Sequence, residues 1–297
     1  MDENAVKLAA AQYPIGRFSD FSGWRENAAH WVEDAIRGGA RLLVFPEYGG
    51  MELTSLLPEK LQADLRAQIP ALGRFHDDFV ATYAALAKRH GVHILAPSLP
   101  VEIDGAIRNR AWLLSPQGAA FQDKRQMTRF EKEQWGVAGG ETLKVFDIGA
   151  ARIGIAICYD IEFPLIAHAL SAAGADLVLA PSCTDTLAGA HRVHVGAAAR
   201  ALENQIYVAL SPTVGEAPWS PAVDVNNGWA AVYATPDRGF PDDGVLARGA
   251  FNQPGWIYAD LDFARLRAAR DTAQVFTRKD WDSQSRPSLA VETVTLA

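Results

Sequence analysis

Apolar runs of strand length alternate with amphipathic segments of helix length along most of this chain, and that alternation constrains the fold more than any other feature. Residues 6–12 and 41–45 read as buried strands, and residues 21–37 between them carry helical spacing. Residues 69–90 read as a second amphipathic helix, followed by a strand at 93–97. A strand at 111–115 meets a turn at Gln117-Gly118, and 143–148 with 152–157 form a close pair. A helix at 163–173 with Gly174 as its C-cap leads to a strand at 176–180. A helix at 191–203 and strands at 206–211, 229–234 and 256–260 complete the pattern. This is an α/β protein with a mixed sheet or sheets. Residues 212–228 and 235–244 read as long loops, and nothing reads as a linker or repeat. Periodicity fades near Arg270, so residues 1–270 read as one domain and residues 271–297 as an extended C-terminal arm.

Composition narrows the class of partner. The 297 residues are 49% hydrophobic and 21% charged, enough for a large core without a disulfide or metal. The formal net charge is -7, and the charged runs near Arg125 and Arg278 mix both signs. No basic stripe is present, which argues against a nucleic-acid partner. There are only two cysteines, Cys158 and Cys183, and the start MDENAVKLAAAQ lacks a basic segment followed by an apolar one. No apolar run has the length of a membrane span. The expectation is a cytoplasmic protein with free thiols and no membrane partner.

Three places carry candidate chemistry. Glu47, in RLLVFPEYGG, follows directly on a buried strand, where partial desolvation raises a carboxyl pKa toward the range of a general base. Its ordinary reading is an exposed turn glutamate. Cys158, in RIGIAICYDIEFP, closes a strand and precedes a helix. That arrangement exposes a nucleophile, offers the Tyr159 amide N–H to an oxyanion, and favours thiolate at the helix N-terminus. Its ordinary reading is a buried core cysteine. Lys124, in FQDKRQMTRFEKEQWGVAGG, lies near carboxylates that include Glu131. Its ordinary reading is a solvated loop of mixed charge. A papain-type site needs a histidine base, and none of the seven histidines is an obvious one. Glu47 can take that role.

FPEYGG, then Asp123-Lys124, then Ile157-Cys158-Tyr159-Asp160 with Phe163-Pro164, together resemble the nitrilase (carbon–nitrogen hydrolase) superfamily. GAD at 174–176, LVLAPS at 177–182 and the RALEN run at 200–204 resemble its supporting context, and the resemblance runs from about residue 6 to 262. EYGGMELTSL is most similar to an uncharacterised amidase-like branch, some of whose members are fused to acetyltransferase-like domains. The resemblance implies a four-layer α-β-β-α sandwich, a homodimer or higher homo-oligomer, and an arm that reaches a neighbouring subunit. It implies Glu47 as base, Lys124 as the lysine, Cys158 as nucleophile and Glu131 as second glutamate, with Glu133 a competing candidate. Leu165 and His168 depart from the family, which usually shows glutamate and arginine there.

The implied reaction is hydrolysis of a small non-peptide amide or carbamoyl compound through a cysteine thioester, with water as second substrate and no cofactor. Acyl transfer to an amine, nitrile hydrolysis and an inert scaffold are the alternatives. Weaker signals remain. His191 and His194 are three apart on a helix and read as polar face residues more readily than as a metal pair. Cys183 follows a strand near the one carrying Cys158 and either lines the pocket or fills core. Trp219 and Trp229 flank a long loop, and either shape the pocket or pack. Gly139-Gly140 opens no helix, so a dinucleotide reading fails.

Overall fold

The computed structural model describes residues 4–285 and 291–296. Its strands are β1 (Ala5–Pro14), β2 (Leu42–Val44), β3 (His93–Leu95), β4 (Leu99–Ile103), β5 (Ala106–Ser115), β6 (Gly118–Asp123) and β7 (Val145–Asp147). They continue with β8 (Arg152–Ile155), β9 (Leu177–Ser182), β10 (Tyr207–Glu216), β11 (Val225–Asn226), β12 (Ala231–Tyr233), β13 (Val245–Arg248) and β14 (Gly255–Asp262). The α-helices are α1 (Phe21–Arg37), α2 (Glu59–Gln62), α3 (Gln68–Leu72), α4 (His76–His90), α5 (Pro164–Ala172), α6 (Leu187–Asn204) and α7 (Phe263–Thr272).

The strands form two sheets that share one seam. The first runs β6-β5-β3-β2-β1-β14, with β4 beside the first half of β5. The second runs β7-β8-β9-β10-β12-β13. The seam is a short parallel pairing in which Tyr13 and Pro14 meet Thr213 and Val214. Alternation along β1 fixes the layers. Leu8 and Ala10 join the core of the second sheet, whereas Ala9, Ala11 and Tyr13 face α1 and α4. On the far side, α5 and α6 add Ile166, Leu170, Val193, Ala197 and Ala201 to the second sheet's core. The order is therefore α-β-β-α, the four-layer sandwich that the sequence resemblance implies.

Local chemistry accounts for the elements. The Asp20 carboxylate accepts the Gly23 N–H to start α1, which buries Trp24, Ala28, Val32 and Ala35 along one stripe. Gly154 of β8 lets α5 approach, because a Cβ there would lie 2.8 Å from a Leu170 methyl carbon. Strands β1, β2 and β3 are parallel, as are β8, β9 and β10. The carboxyl ends of β2, β8 and β9 lie at one pole, where open α/β sheets bind ligands.

Some expectations change. The single helix expected at 69–90 is α3, a 3-10 turn at Gly73–Phe75 and then α4, because glycine weakens the helix where the chain turns. The hairpin of β4 and β5 went unread although Asp104-Gly105 marks it, with φ of 51° and 74° at the two turn residues. Strand β8 ends at Ile155, short of Cys158. The expected domain boundary at residue 270 falls inside α7. The first part of the expected arm lies on its own chain: Val275 O accepts from Gln205, Thr277 donates to Leu202 O, and Arg278 donates to Ser171 O and Asn204 O. Trp281 stacks on His168 with ring centroids 4.2 Å apart. Residues 286–290 and 297 of that arm lie outside the described residues.

Candidate active site

Glu47 leaves the end of β2 through Phe45-Pro46 and is 1% exposed, so it is not the solvated turn residue that its position also allows. The next residue, Tyr48, has φ 54° and starts the 3-10 helix Gly49–Leu56. Lys124 follows β6 and is also 1% exposed. Its ammonium donates to Glu47 Oε1 and to Glu131 Oε2, both at 2.7 Å. Glu131 is thus the second carboxylate at this point. Glu133 is exposed and pairs with Arg129 in solvent at 2.9 Å.

One ammonium between two buried carboxylates cannot neutralise both, and the surrounding donors decide which one carries the charge. Glu131 also accepts Tyr48 Oη at 2.7 Å, Thr128 N at 2.8 Å and Thr128 Oγ1 at 2.9 Å. These bonds and the Lys124 charge hold its carboxyl below the usual range despite burial. Glu47 has Lys124 and Asn109 as donors, the latter at 2.9 Å. Burial dominates there and pushes its pKa up to about 7. Lys124 is held well above its ordinary value by the two carboxylates, against its own burial. The arrangement is a fixed ion pair, Lys124 with Glu131, beside a carboxyl that gains and loses a proton near neutrality.

Cys158 faces that carboxyl. It opens a five-residue 3-10 helix, Cys158–Glu162, with φ 48°, a strained value for a non-glycine residue. Its thiol lies 3.6 Å from Cys183 O at the end of the neighbouring parallel strand. The expectation of a thiolate favoured by a helix N-terminus is corrected: burial and Glu47 push the thiol well above its ordinary value. Deprotonation must therefore be coupled to a base. Asp160 ties this turn to the lysine loop, its carboxylate accepting from Gln126 N at 2.7 Å, Arg125 N at 3.1 Å and Ile157 N at 3.2 Å. Gly196 lets α6 lie against the same turn, since a Cβ there would sit 2.9 Å from Ile161 O.

These groups open into a pocket of about 620 Å³, a small-molecule size. Its floor is Glu47, Lys124, Glu131 and Cys158, and its walls include Tyr159, Cys183 and Phe130. All six residues singled out by sequence thus reach one cavity. Burial raises the Cys183 thiol to about 12, leaving it a neutral wall. Trp219 and Trp229 do not line this pocket, and Pro221, Ala222 and Val225 of the same loop do. His191 and His194 both pack on Trp229, with ring centroids 5.1 and 3.9 Å away, but His191 is exposed, whereas His194 is buried between Tyr233 Oη at 2.6 Å and Trp229 O at 3.0 Å. Among the described residues no group of three or more metal-ligating side chains occurs. Sequence reasoning missed Tyr48, Asn109 and Thr128. Asn109 leaves no local signal, because a polar residue inside a strand reads as a solvent-facing position.

Comparison with known proteins follows the same lines. The family model described as carbon-nitrogen hydrolase matches residues 7–271. The chain is 31% identical over 276 residues to the probable hydrolase YhcX of Bacillus subtilis (strain 168), covering 93% of this chain and 53% of that protein. It therefore spans about half the length of that relative. It is 24% identical over 287 residues to the omega-amidase NIT2 of Homo sapiens, covering 94% of this chain and 96% of that one. Among solved structures, Nit3 of Saccharomyces cerevisiae, a member of branch 10 of the nitrilase superfamily, matches with a TM-score of 0.71 at 22% identity over 92% of this chain and 95% of that one. An amidase from Nesterenkonia sp. matches with a TM-score of 0.66 at 22% identity over 95% and 98% of the two chains.

Proposed function

The chain belongs to the carbon–nitrogen hydrolase family, and on that premise we propose that it hydrolyses a small non-peptide amide or carbamoyl compound through a thioester on Cys158. The observation that carries the reading is the convergence of a strained, buried thiol, a carboxyl raised to about 7 and a fixed ammonium in one small-molecule pocket. A free cysteine is only a few per cent thiolate at neutral pH, so an adjacent base is needed. Relatives named omega-amidases support an amide substrate over a nitrile.

In this mechanism ionised Glu47 takes the Cys158 proton as Sγ bonds to the substrate carbonyl carbon. The oxyanion is held by the Lys124 ammonium and the Tyr159 N–H, one such donor being typically worth roughly 3–4 kcal/mol. Protonated Glu47 passes its proton to the leaving nitrogen, the C–N bond breaks, and ammonia or an amine departs. Glu47 then deprotonates water, the new C–O bond forms, and the C–S bond breaks to restore the thiol. Glu131 holds Lys124 in register throughout.

Residues 1–270 form the hydrolase domain in this reading, residues 271–281 stay on their own chain, and only the part of the arm beyond them reaches a second copy in a homodimer or larger homo-oligomer. Support for pairing comes from α5 and α6, where Leu165 is 72% and Val195 69% exposed. Among the described residues no helix is long and apolar enough to cross a membrane.

The test is intact-protein mass spectrometry after incubation with a panel of amides, carbamoyl compounds and nitriles. A transient adduct that is absent in Cys158→Ala supports the thioester and identifies the acyl group. Turnover by Cys158→Ala at the wild-type rate refutes it.

A further inference from the structure

We infer that Asn109 is a positioning residue for the base: its side-chain amide, backed by the Ser98 hydroxyl, fixes which oxygen of Glu47 faces the Cys158 thiol. The inference rests on the proposed function and adds to it a second layer of groups that touch neither substrate nor nucleophile.

Asn109 lies in β5 and is fully buried, as is Ser98. Its Nδ2 donates to Glu47 Oε1 at 2.9 Å, and its Oδ1 accepts from Ser98 Oγ at 2.6 Å. Ser98 Oγ in turn accepts the Tyr48 N–H at 2.9 Å. The Ser98 main chain grips the same turn, its N–H donating to Pro46 O and its carbonyl accepting from Gly50 N, both at 3.1 Å. The Asn109 carbonyl accepts the Lys124 N–H at 2.9 Å. One residue therefore holds the base by its side chain and the lysine by its main chain.

The direction of the relay is fixed by counting hydrogens. A serine hydroxyl has one hydrogen to give. Ser98 Oγ accepts the Tyr48 N–H and still has its hydrogen for Asn109 Oδ1, while ionised Glu47 can only accept, so Nδ2 points at the carboxylate. The opposite amide orientation would set Oδ1 against Glu47 Oε1, two acceptors in contact. Asn109 and Lys124 both bind Oε1, so neither of these two donors engages Oε2. The charged and titratable groups facing Glu47 are Lys124, Glu131, Cys158, Tyr48 and Cys183. Beside the Lys124 ammonium and the Cys158 thiol, the Asn109 amide is a hydrogen-bond donor to Glu47. A donor to the charged form favours that form. Loss of the Asn109 amide therefore makes the base harder to ionise and frees its carboxyl to rotate.

The experiment needs no knowledge of the substrate. Full-length wild type, Glu47→Gln, Asn109→Leu and Ser98→Ala are treated with iodoacetamide from about pH 5 to 9, spanning the range useful to a general base. Labelling of Cys158 and Cys183 is read separately by peptide mass spectrometry, and thermal melting confirms that each variant is folded. Asn109→Leu is expected to slow Cys158 labelling at neutral pH roughly tenfold to a hundredfold, the range for a lost hydrogen bond to a charged group. Its rising limb is expected to move up by about one pH unit. Ser98→Ala is expected to move rate and limb the same way by less, and it decides the matter if Asn109→Leu does not fold. Curves that superimpose on wild type overturn the inference, as does a drop that is equal at every pH with the limb unmoved. Wild-type Cys158 reacting no faster than Cys183, or unchanged in Glu47→Gln, refutes instead the functional reading beneath it.

Discussion

Replacing Glu47 by glutamine is expected to abolish turnover and, at alkaline pH, to make the protein more stable. Glutamine keeps the shape of the side chain and an oxygen for Asn109 and Lys124, so it resembles the protonated acid. The wild-type carboxyl has a pKa of about 7 in the folded protein against 4.5 for the free group. A group raised on folding adds nothing unfavourable below its unfolded pKa, and lowers stability progressively as pH rises through its folded pKa. The window here runs from about 4.5 to 7, and above it the unfolded state holds the charge more cheaply. At about 1.4 kcal/mol per pKa unit, a shift of about two and a half units is on the order of 3 kcal/mol. Glu47→Gln removes that penalty. Urea denaturation at pH 5 and pH 8, followed by circular dichroism, reads it directly. The variant should match wild type within about 1 kcal/mol at pH 5 and exceed it by about 3 kcal/mol at pH 8. In a thermal melt, a difference of that size is about 5 °C for a chain of this length. Lower stability than wild type at pH 8, or an equal gain at both pH values, would refute the reasoning that burial sets the charge state of this base.

Two other changes probe the same pocket. Lys124→Met leaves Glu47 and Glu131 buried without a cation, and both carboxyls should then titrate upward. The destabilisation is expected to be about 3–5 kcal/mol at pH 8, where an uncompensated buried charge remains, and clearly smaller at pH 5, where both groups can hold protons; a pH-independent loss in urea titrations would count against it. Asp160→Asn offers one acceptor oxygen to three backbone N–H groups, so at least one buried donor is left without a partner. A loss of about 1–3 kcal/mol in the urea midpoint is expected, together with slower iodoacetamide labelling of Cys158 as the lysine loop comes away from the nucleophile turn; an unchanged midpoint and rate would show that Asp160 does not hold the two together.

Much of the fold was legible because hydrophobic period reports burial. Parallel strands buried on both faces, such as β9 with all six residues buried, must be continuous apolar runs, and these stand out in any sequence. The boundaries were less legible. The apolar run into Cys158 continues through Ile157, so period gives no sign that the strand ladder stops at Ile155. The last segment misled for a different reason. Residues 274–281 have no regular period because they are held by polar bonds, donated to carbonyls on α5 and α6 and accepted by Val275 O from the Gln205 side chain, and such bonds leave no pattern in sequence.

At the site the same division holds. The residue types were settled by the chain itself: a glutamate just past a buried strand, a lysine and a cysteine near two others, in an order that resembles one superfamily. Their charge states were not. Glu47 and Glu131 are the same residue type and lie at the same 2.7 Å from the same ammonium, yet one titrates near neutrality and the other stays ionised. The difference is made by Tyr48 and Thr128, which both donate to Glu131; they follow β2 and β6 and meet when the first sheet assembles. The sequence by itself determined which groups could react. Only the tertiary structure decided which of them holds the proton, because that depends on counting donors around a buried carboxyl, and one of them, Tyr48, is 83 residues from Glu131 in the chain.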